Sequence, residues 1–138
     1  MAFPTFLGVQ LVTPKGVVAH TDAESVQAPG ELGEFELLPG HVPMLTALRP
    51  GVLTIGIKQR SRYAVSSGYL RIDPKGAVEI LVEQALPAGD VDTEAAKKDL
   101  VAAETELAKW GDKELDGDYL NLVARAGWAR ARIDAASH

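Results

Sequence analysis

The sequence predicts an all-β sandwich or barrel over residues 1–87, followed by an α-helical hairpin over residues 88–138. Three observations carry that division. All eight prolines and ten of the thirteen glycines lie at or before Gly89, whereas residues 90–138 hold no proline, eighteen of the 33 charges and eleven alanines. Apolar residues before that point alternate with period two, as in a strand with one buried face. After it they recur at spacings of three and four, as on one side of a helix.

In chain order, short runs rich in Val, Ile, Leu and Tyr are separated by turn signals at Pro14-Lys15-Gly16, Pro29-Gly30, Pro39-Gly40, Pro50-Gly51, Ser67-Gly68 and Asp73-Pro74-Lys75-Gly76. Proline presets φ and glycine permits positive φ, so these pairs are read as turns. "GVLTIGIKQRSRYAVSSGYLRID" reads as three strands in a row, Val52 to Ile57, Arg62 to Ser66 and Tyr69 to Asp73, and predicts a meander with a hairpin turn at the serines. In "AVEILVEQ" Val78, Ile80 and Val82 point one way, and Glu79, Leu81 and Glu83 the other.

The composition breaks at "LPAG", Leu86 to Gly89. Ala96, Leu100, Ala103, Leu107 and Trp110 then form one helical stripe, with Asp92 placed as N-cap and Gly111 as the stop. The acidic connector "GDKELDGD" leads to a second helix opening near Asp118, with Tyr119, Leu122, Ala126, Ala129 and Ile133 in register. Both stripes are narrow and rich in alanine. Ordering a residue costs about 1.5 kcal/mol, and such stripes bury few large side chains worth ~1.5–3 kcal/mol each. The hairpin therefore has to lean on the β domain or on another protein, and an element held that weakly can exchange one support for another.

Bulk properties exclude several classes. No apolar run approaches the roughly 20 residues of a membrane span, and "MAFPTFLGVQ" lacks the basic and apolar regions of a signal peptide, so the chain is expected to stay on the side of the membrane where it is made. Without cysteine, disulfides and thiolate zinc sites are excluded. A formal charge of -5 argues against general nucleic-acid binding. His20, His41 and His138 stand far apart with no ligand spacing around them, so no metal site is expected. Phosphate-loop, dinucleotide and nucleophile-elbow patterns do not occur, and no nucleophile pairs with a base by spacing; a non-catalytic role is expected.

Charge in the helical part is uneven. Residues 90–118 carry ten acids against four lysines, while residues 119–138 carry Arg125, Arg130 and Arg132 against Asp134. Arg125 and Arg132 are seven apart, on one face with Trp128 between them. That face reads either as cations offsetting the helix macrodipole or as an anchor for an acidic surface, with an exposed Trp128 favouring the second.

"GEFELLPGHVPMLTALRPGVLTI", Gly33 to Ile55, resembles the signature stretch of the epsilon subunit of F-type ATP synthases, which typically reads G-E-x-G-x-L-P-G-H-x-P-x-L-T-x-L-x-P-G. "LVTPKGVVAHTDAESVQAPG" before it, "SSGYLRI" after it and the alanine-rich hairpin are similar to that family in the same order. The resemblance implies a ten-stranded β-sandwich and two helices on the rotor stalk, a peripheral complex on the cytoplasmic side of the cell membrane. It implies that the sandwich joins the gamma subunit to the ring of c subunits. The hairpin would lie folded on the sandwich or extend along gamma toward the catalytic alpha and beta subunits, where it inhibits ATP hydrolysis.

Carried over by position, Glu34 and His41 are implied as contacts to gamma and the c ring, on one end of the sandwich. Glu36 stands where a glycine is common, a departure that bears on the local backbone. Arg125, Arg130 and Arg132 are implied as contacts to the catalytic beta subunits. Some bacterial members bind ATP at [IL]-D-x-x-R-A; here Asp92 and Ala96 match, but the arginine is Ala95, so the cation for a phosphate is missing and Asp92 is left as a helix cap. No cofactor is expected on that basis. The second reading is a small-ligand sensor whose hairpin closes on ATP. His41, set among Pro39, Gly40 and Pro43 without a chemical partner, reads as a turn and contact residue.

Overall fold

A computed structural model of the chain describes residues 5–137; Met1 to Pro4 of the N-terminal stretch, and His138, lie outside them. The described residues form β1 (Leu7–Thr13), β2 (Gly16–Ala23), β3 (Ser25–Gly30), β4 (Gly33–Leu37) and β5 (Met44–Leu48). There follow β6 (Gly51–Ile57), β7 (Gln59–Val65), β8 (Gly68–Ile72), β9 (Ala77–Val82) and β10 (Ala85–Pro87). A short 3-10 turn at Ala88–Asp90 leads to α1 (Thr93–Ala108) and α2 (Gly117–Ala136). The ten strands and the helical pair are the predicted fold class.

The strands form one hydrogen-bonded path, β10-β7-β6-β3-β5-β8-β9-β1-β2, with β4 added on β3. It folds into two layers because β3 and β5 share a single paired position, Gly30 with Leu48. One layer is β10-β7-β6-β3 with β4; the other is β5-β8-β9-β1-β2. Period-two alternation sends Leu7, Val9 and Leu11 of β1, Leu53 and Ile55 of β6, and Val78, Ile80 and Val82 of β9 into the space between them. Burying each such side chain is worth about 1.5–3 kcal/mol, so this core is the chief support of the fold.

The predicted meander holds for β6 with β7, but β7 and β8 are not neighbours; β8 lies between β5 and β9 in the other layer. The Ser66-Ser67 step is a crossing from one layer to the other, not a hairpin turn. The chain between β9 and β10 crosses beside it: Ser66 N–H donates to the Gln84 carbonyl at 3.0 Å, and Ser66 Oγ accepts from Gln84 N–H at 2.9 Å. Those two bonds satisfy backbone groups that leave one sheet before joining the next. Gly68 is required there, because a Cβ would run into the Leu81 carbonyl.

The Asp92 carboxylate caps α1 by accepting from Ala95 N–H at 3.1 Å, and Gly111 follows the helix at φ 64°. Asp116 caps α2: its Oδ1 accepts from Asp118 N–H at 3.0 Å and Tyr119 N–H at 3.2 Å, so the helix opens at Gly117, next to the predicted Asp118. Trp110 Nε1 donates to the carbonyls of Lys113 and Glu114, and the ring meets Tyr119 edge-on at 5.5 Å, which closes the tip between the helices. α2 packs on α1 and also on β6 and β7. It consequently buries two faces: the predicted Leu122, Ala126 and Ala129, and in addition Ala131 and Ala135.

Candidate partner-binding surfaces

The two layers meet solvent differently. α2 covers the outer side of β6 and β7, where Ala64 is fully buried outside the main core. The approach is tight at Gly127, where a Cβ would stand 3.1 Å from Pro50 Cγ. Beside it, Arg62 of β7 donates from Nη2 to the Asp134 carbonyl at 3.0 Å. These residues fasten the hairpin to the sandwich, and sequence reasoning did not single them out. A glycine inside a helix, which costs about 1 kcal/mol against alanine, was the available signal.

Among the described residues no helix covers the opposite layer. Register places Ala47, Tyr69, Leu81 and Val12 in one row across β5, β8, β9 and β1, all on the outer face. The adjacent row is Leu45, Arg71, Glu79 and Gln10, with Arg71 and Glu79 ion-paired at 2.8 Å. Leu45 is 69% exposed, Tyr69 58% and Leu81 50%. Single exposed apolar residues are ordinary, but a contiguous set with an internally neutralised charge pair is the composition of a docking face. Its signal in the sequence was Leu81, an apolar residue in the solvent phase of "AVEILVEQ".

The predicted contact residues Glu34 and His41 are not brought together. Glu34 lies opposite Pro29 near the tip of the β3–β4 hairpin. His41 lies beyond the other end of β4, and three residues of strand, about 10 Å at ~3.3 Å each, separate Glu34 from Leu37 alone. His41 N–H donates to the Leu38 carbonyl at 3.1 Å, with Pro39 and Gly40 (φ 87°) between, as a type II turn requires. Its Nδ1 donates to the Val42 carbonyl at 2.8 Å, a local bond that makes the ring part of the turn. Glu36 sits in β4 and accepts from Gln27 Nε2 at 3.0 Å; it does not need the positive φ that a glycine would allow.

Two of the three predicted arginines are engaged within the hairpin. Arg132, its side chain only 14% exposed, donates from Nη2 to Asp99 at 2.8 Å and lies over the Trp128 ring at 5.4 Å. Arg130 reaches Glu104 at 3.7 Å. Arg125 is exposed and makes no ion pair among the described residues. Trp128, read from the sequence as exposed, is half-buried, because α2 is covered on two sides. Asp92 is occupied as a cap, and Ala96 is fully buried with its N–H on the Asp92 carbonyl. Among the described residues no three His, Asp or Glu side chains gather as metal ligands, and no helix is long and apolar enough to cross a membrane.

One ionisable group is shifted. Asp73, in the β8–β9 turn, accepts from Ala77 N–H at 2.9 Å and Lys75 N–H at 2.8 Å. The Ala77 bond is the main cause that holds its pKa below the usual carboxylate value; desolvation opposes it, and the Lys75 bond and the charges of Arg71 and Lys75 reinforce it.

Comparison with known proteins converges on one family. The profile described as ATP synthase, Delta/Epsilon chain, beta-sandwich domain matches residues 6–88. The ATP synthase epsilon chain of Geobacter sulfurreducens is 37% identical, over 94% of this chain and 93% of that one. That of Hydrogenobaculum sp. is 34% identical, over 85% of this chain and 93% of that one. A chain in the cryo-EM structure of Euglena gracilis mitochondrial ATP synthase, OSCP/F1/c-ring in rotational state 1, superposes with a TM-score of 0.81 at 20% identity, over 100% of this chain and 85% of that one. One from the central stalk/c-ring of Tetrahymena thermophila mitochondrial ATP synthase gives 0.65 at 18%, over 99% and 100%. The matched sandwich, together with relatives aligned through the hairpin, shows that this chain belongs to the ATP synthase epsilon chain family.

Proposed function

We propose that this chain is a non-catalytic subunit of the central stalk of an F-type, proton-transporting ATP synthase. It turns with the rotor and helps couple proton flow through the membrane ring to ATP synthesis. The sandwich binds the gamma subunit and the c ring, peripheral to the membrane on its cytoplasmic side, and the hairpin is the regulatory part. Family membership supports the central-stalk role, and one observation carries the assignment of faces: the hairpin covers β6 and β7, while no described helix covers the row of Ala47, Tyr69, Leu81 and Val12 on the other layer. Gamma is assigned to that row. The loop ends that carry Glu34 and His41 are assigned to the remaining contacts with gamma and the c ring. Arg125, already free, with Arg130 and Arg132 once α2 leaves α1, is assigned to an acidic surface of the catalytic beta subunits, which would restrain ATP hydrolysis.

The test is co-purification of the full chain with its gamma subunit. Tyr69→Arg with Leu81→Arg places two cations in the apolar row, and gamma binding is expected to fall at least tenfold, the scale of a lost interface anchor. Val101→Arg, on the exposed side of α1, is expected to leave binding unchanged. Wild-type binding by the double variant would overturn the assignment of the face.

A further inference from the structure

α1 packs on α2 and has no comparable contact with any strand, so the contact between the helices is what holds it. That contact carries opposite charges at matching intervals. On α2, Arg125 and Arg132 are seven residues apart, two turns or about 10 Å, with Trp128 between them. On α1, Asp99 and Glu106 are also seven apart. Contacts of Trp110 with Tyr119 and of Asp99 with Arg132 show that the helices run antiparallel. Arg132 meets Asp99 at 2.8 Å, and the same register sets Arg125 toward Glu106, both of them lining one cavity of about 530 Å³ near the tip. Arg130 reaches Glu104 at 3.7 Å. The Arg132 side chain is covered by its neighbours, and a covered cation needs a carboxylate beside it, because leaving it unpaired is costly.

We propose that α1 is a built-in stand-in for an acidic partner: its carboxylates occupy an arginine face of α2 that an acidic protein surface takes once α1 leaves. This rests on the assignment of those arginines to an acidic surface in the synthase and adds what competes for them. The face fits carboxylates about 10 Å apart, as two turns of an acidic helix present them, with apolar surface between for Trp128. Each guanidinium can hold a carboxylate through two oxygens. Because α1 is tethered to the face it covers, its effective concentration there exceeds that of a separate partner, so the partner binds only by displacing it. Lifting the hairpin off the sandwich as one body therefore leaves the face covered; α1 has also to part from α2.

The surface is tested first on the full chain alone, with labelled poly-L-glutamate as the acidic probe at constant low ionic strength. Asp99→Asn with Glu106→Gln is expected to bind it at least tenfold more tightly than the wild type, the scale of one charge-assisted contact. Asp22→Asn with Glu24→Gln removes the same charge from the sandwich and is expected to change binding little. Adding Arg125→Gln and Arg132→Gln to the α1 variant should abolish the gain. Saturating probe should speed amide hydrogen exchange in α1 while slowing it in α2, as displacement requires. The proposal is overturned by an α1 variant that matches the sandwich variant, by a gain that survives loss of the arginines, or by binding that leaves α1 exchange unchanged. Hydrolysis by the assembled synthase then separates this inference from the assignment it rests on. Arg125→Gln with Arg132→Gln is expected to raise hydrolysis, and Asp99→Asn with Glu106→Gln to lower it. No change in the first removes the arginines from the regulatory contact. A rise in the first without a fall in the second keeps that assignment and overturns the stand-in.

Discussion

Asp73 shows how one side chain sets a turn and how that would be measured. Its carboxylate holds the N–H groups of Lys75 and Ala77 across Pro74 and Gly76 (φ 85°), so the ionised form is favoured in the folded chain. A carboxyl whose folded pKa is depressed contributes stability above its unfolded pKa, about 3.9, and loses that contribution as pH falls through the lower folded value. The Lys75 and Ala77 amide resonances are expected to titrate together below pH ~3.9, with Asp73→Asn abolishing the titration. A midpoint above that value would contradict the assigned hydrogen bonds. Arg132 teaches a different lesson at this scale. Its type and position were legible, since an arginine seven residues from Arg125 with Trp128 between them reads as a possible anchor face. Its partner was not: Asp99 is 33 residues away, and only the packing of the hairpin brings it to 2.8 Å.

Among the elements, legibility followed periodicity. "AVEILVEQ" gave its strand face directly, and the spacing of Leu122, Ala126 and Ala129 gave one face of α2. The second face, Ala131 and Ala135, was hidden because alanine is as suited to an exposed helix surface as to a close contact. Strand neighbours were hidden for a related reason: a turn signal at Ser67-Gly68 fixes a change of direction and leaves open which sheet receives the next strand. Gly127 makes the docked helix testable. In Gly127→Ala, about 1 kcal/mol of helix propensity is gained, while the new methyl sits 3.1 Å from Pro50 Cγ, so the two effects nearly cancel. Gly127→Leu has no room, and an overpacking cost of roughly 1–3 kcal/mol falls on the contact between α2 and the sandwich. Amide exchange in α2 is expected to accelerate strongly in Gly127→Leu while the amides of β1, β8 and β9 keep wild-type protection. Equal loss in the sandwich would show the two parts to unfold as one.

For the whole molecule, the arrangement separates two tasks in space. The hairpin rests on β6 and β7, and the apolar row lies on β5, β8, β9 and β1, so releasing the helices need not disturb what the other layer holds. A reversible lock tests that separation, and a chain without native cysteine makes the lock clean. A Cβ at position 127 would lie 3.4 Å from Pro50 Cβ, a few tenths of an ångström below the ~3.8 Å mean of disulfides, so Pro50→Cys with Gly127→Cys should close on oxidation. Closure joins residues far apart in sequence and is expected to raise thermal stability, by about 4 kcal/mol at most. The oxidised chain should bind gamma as tightly as the reduced one, because the row of Tyr69 and Leu81 is untouched. In the assembled synthase, the oxidised chain should show no hydrolysis restraint by the hairpin, and added thiol should restore whatever restraint the wild type exerts. Restraint that persists in the locked chain would place the inhibitory contact on the sandwich and remove the hairpin from that role; loss of gamma binding on locking would show that the two faces are coupled after all.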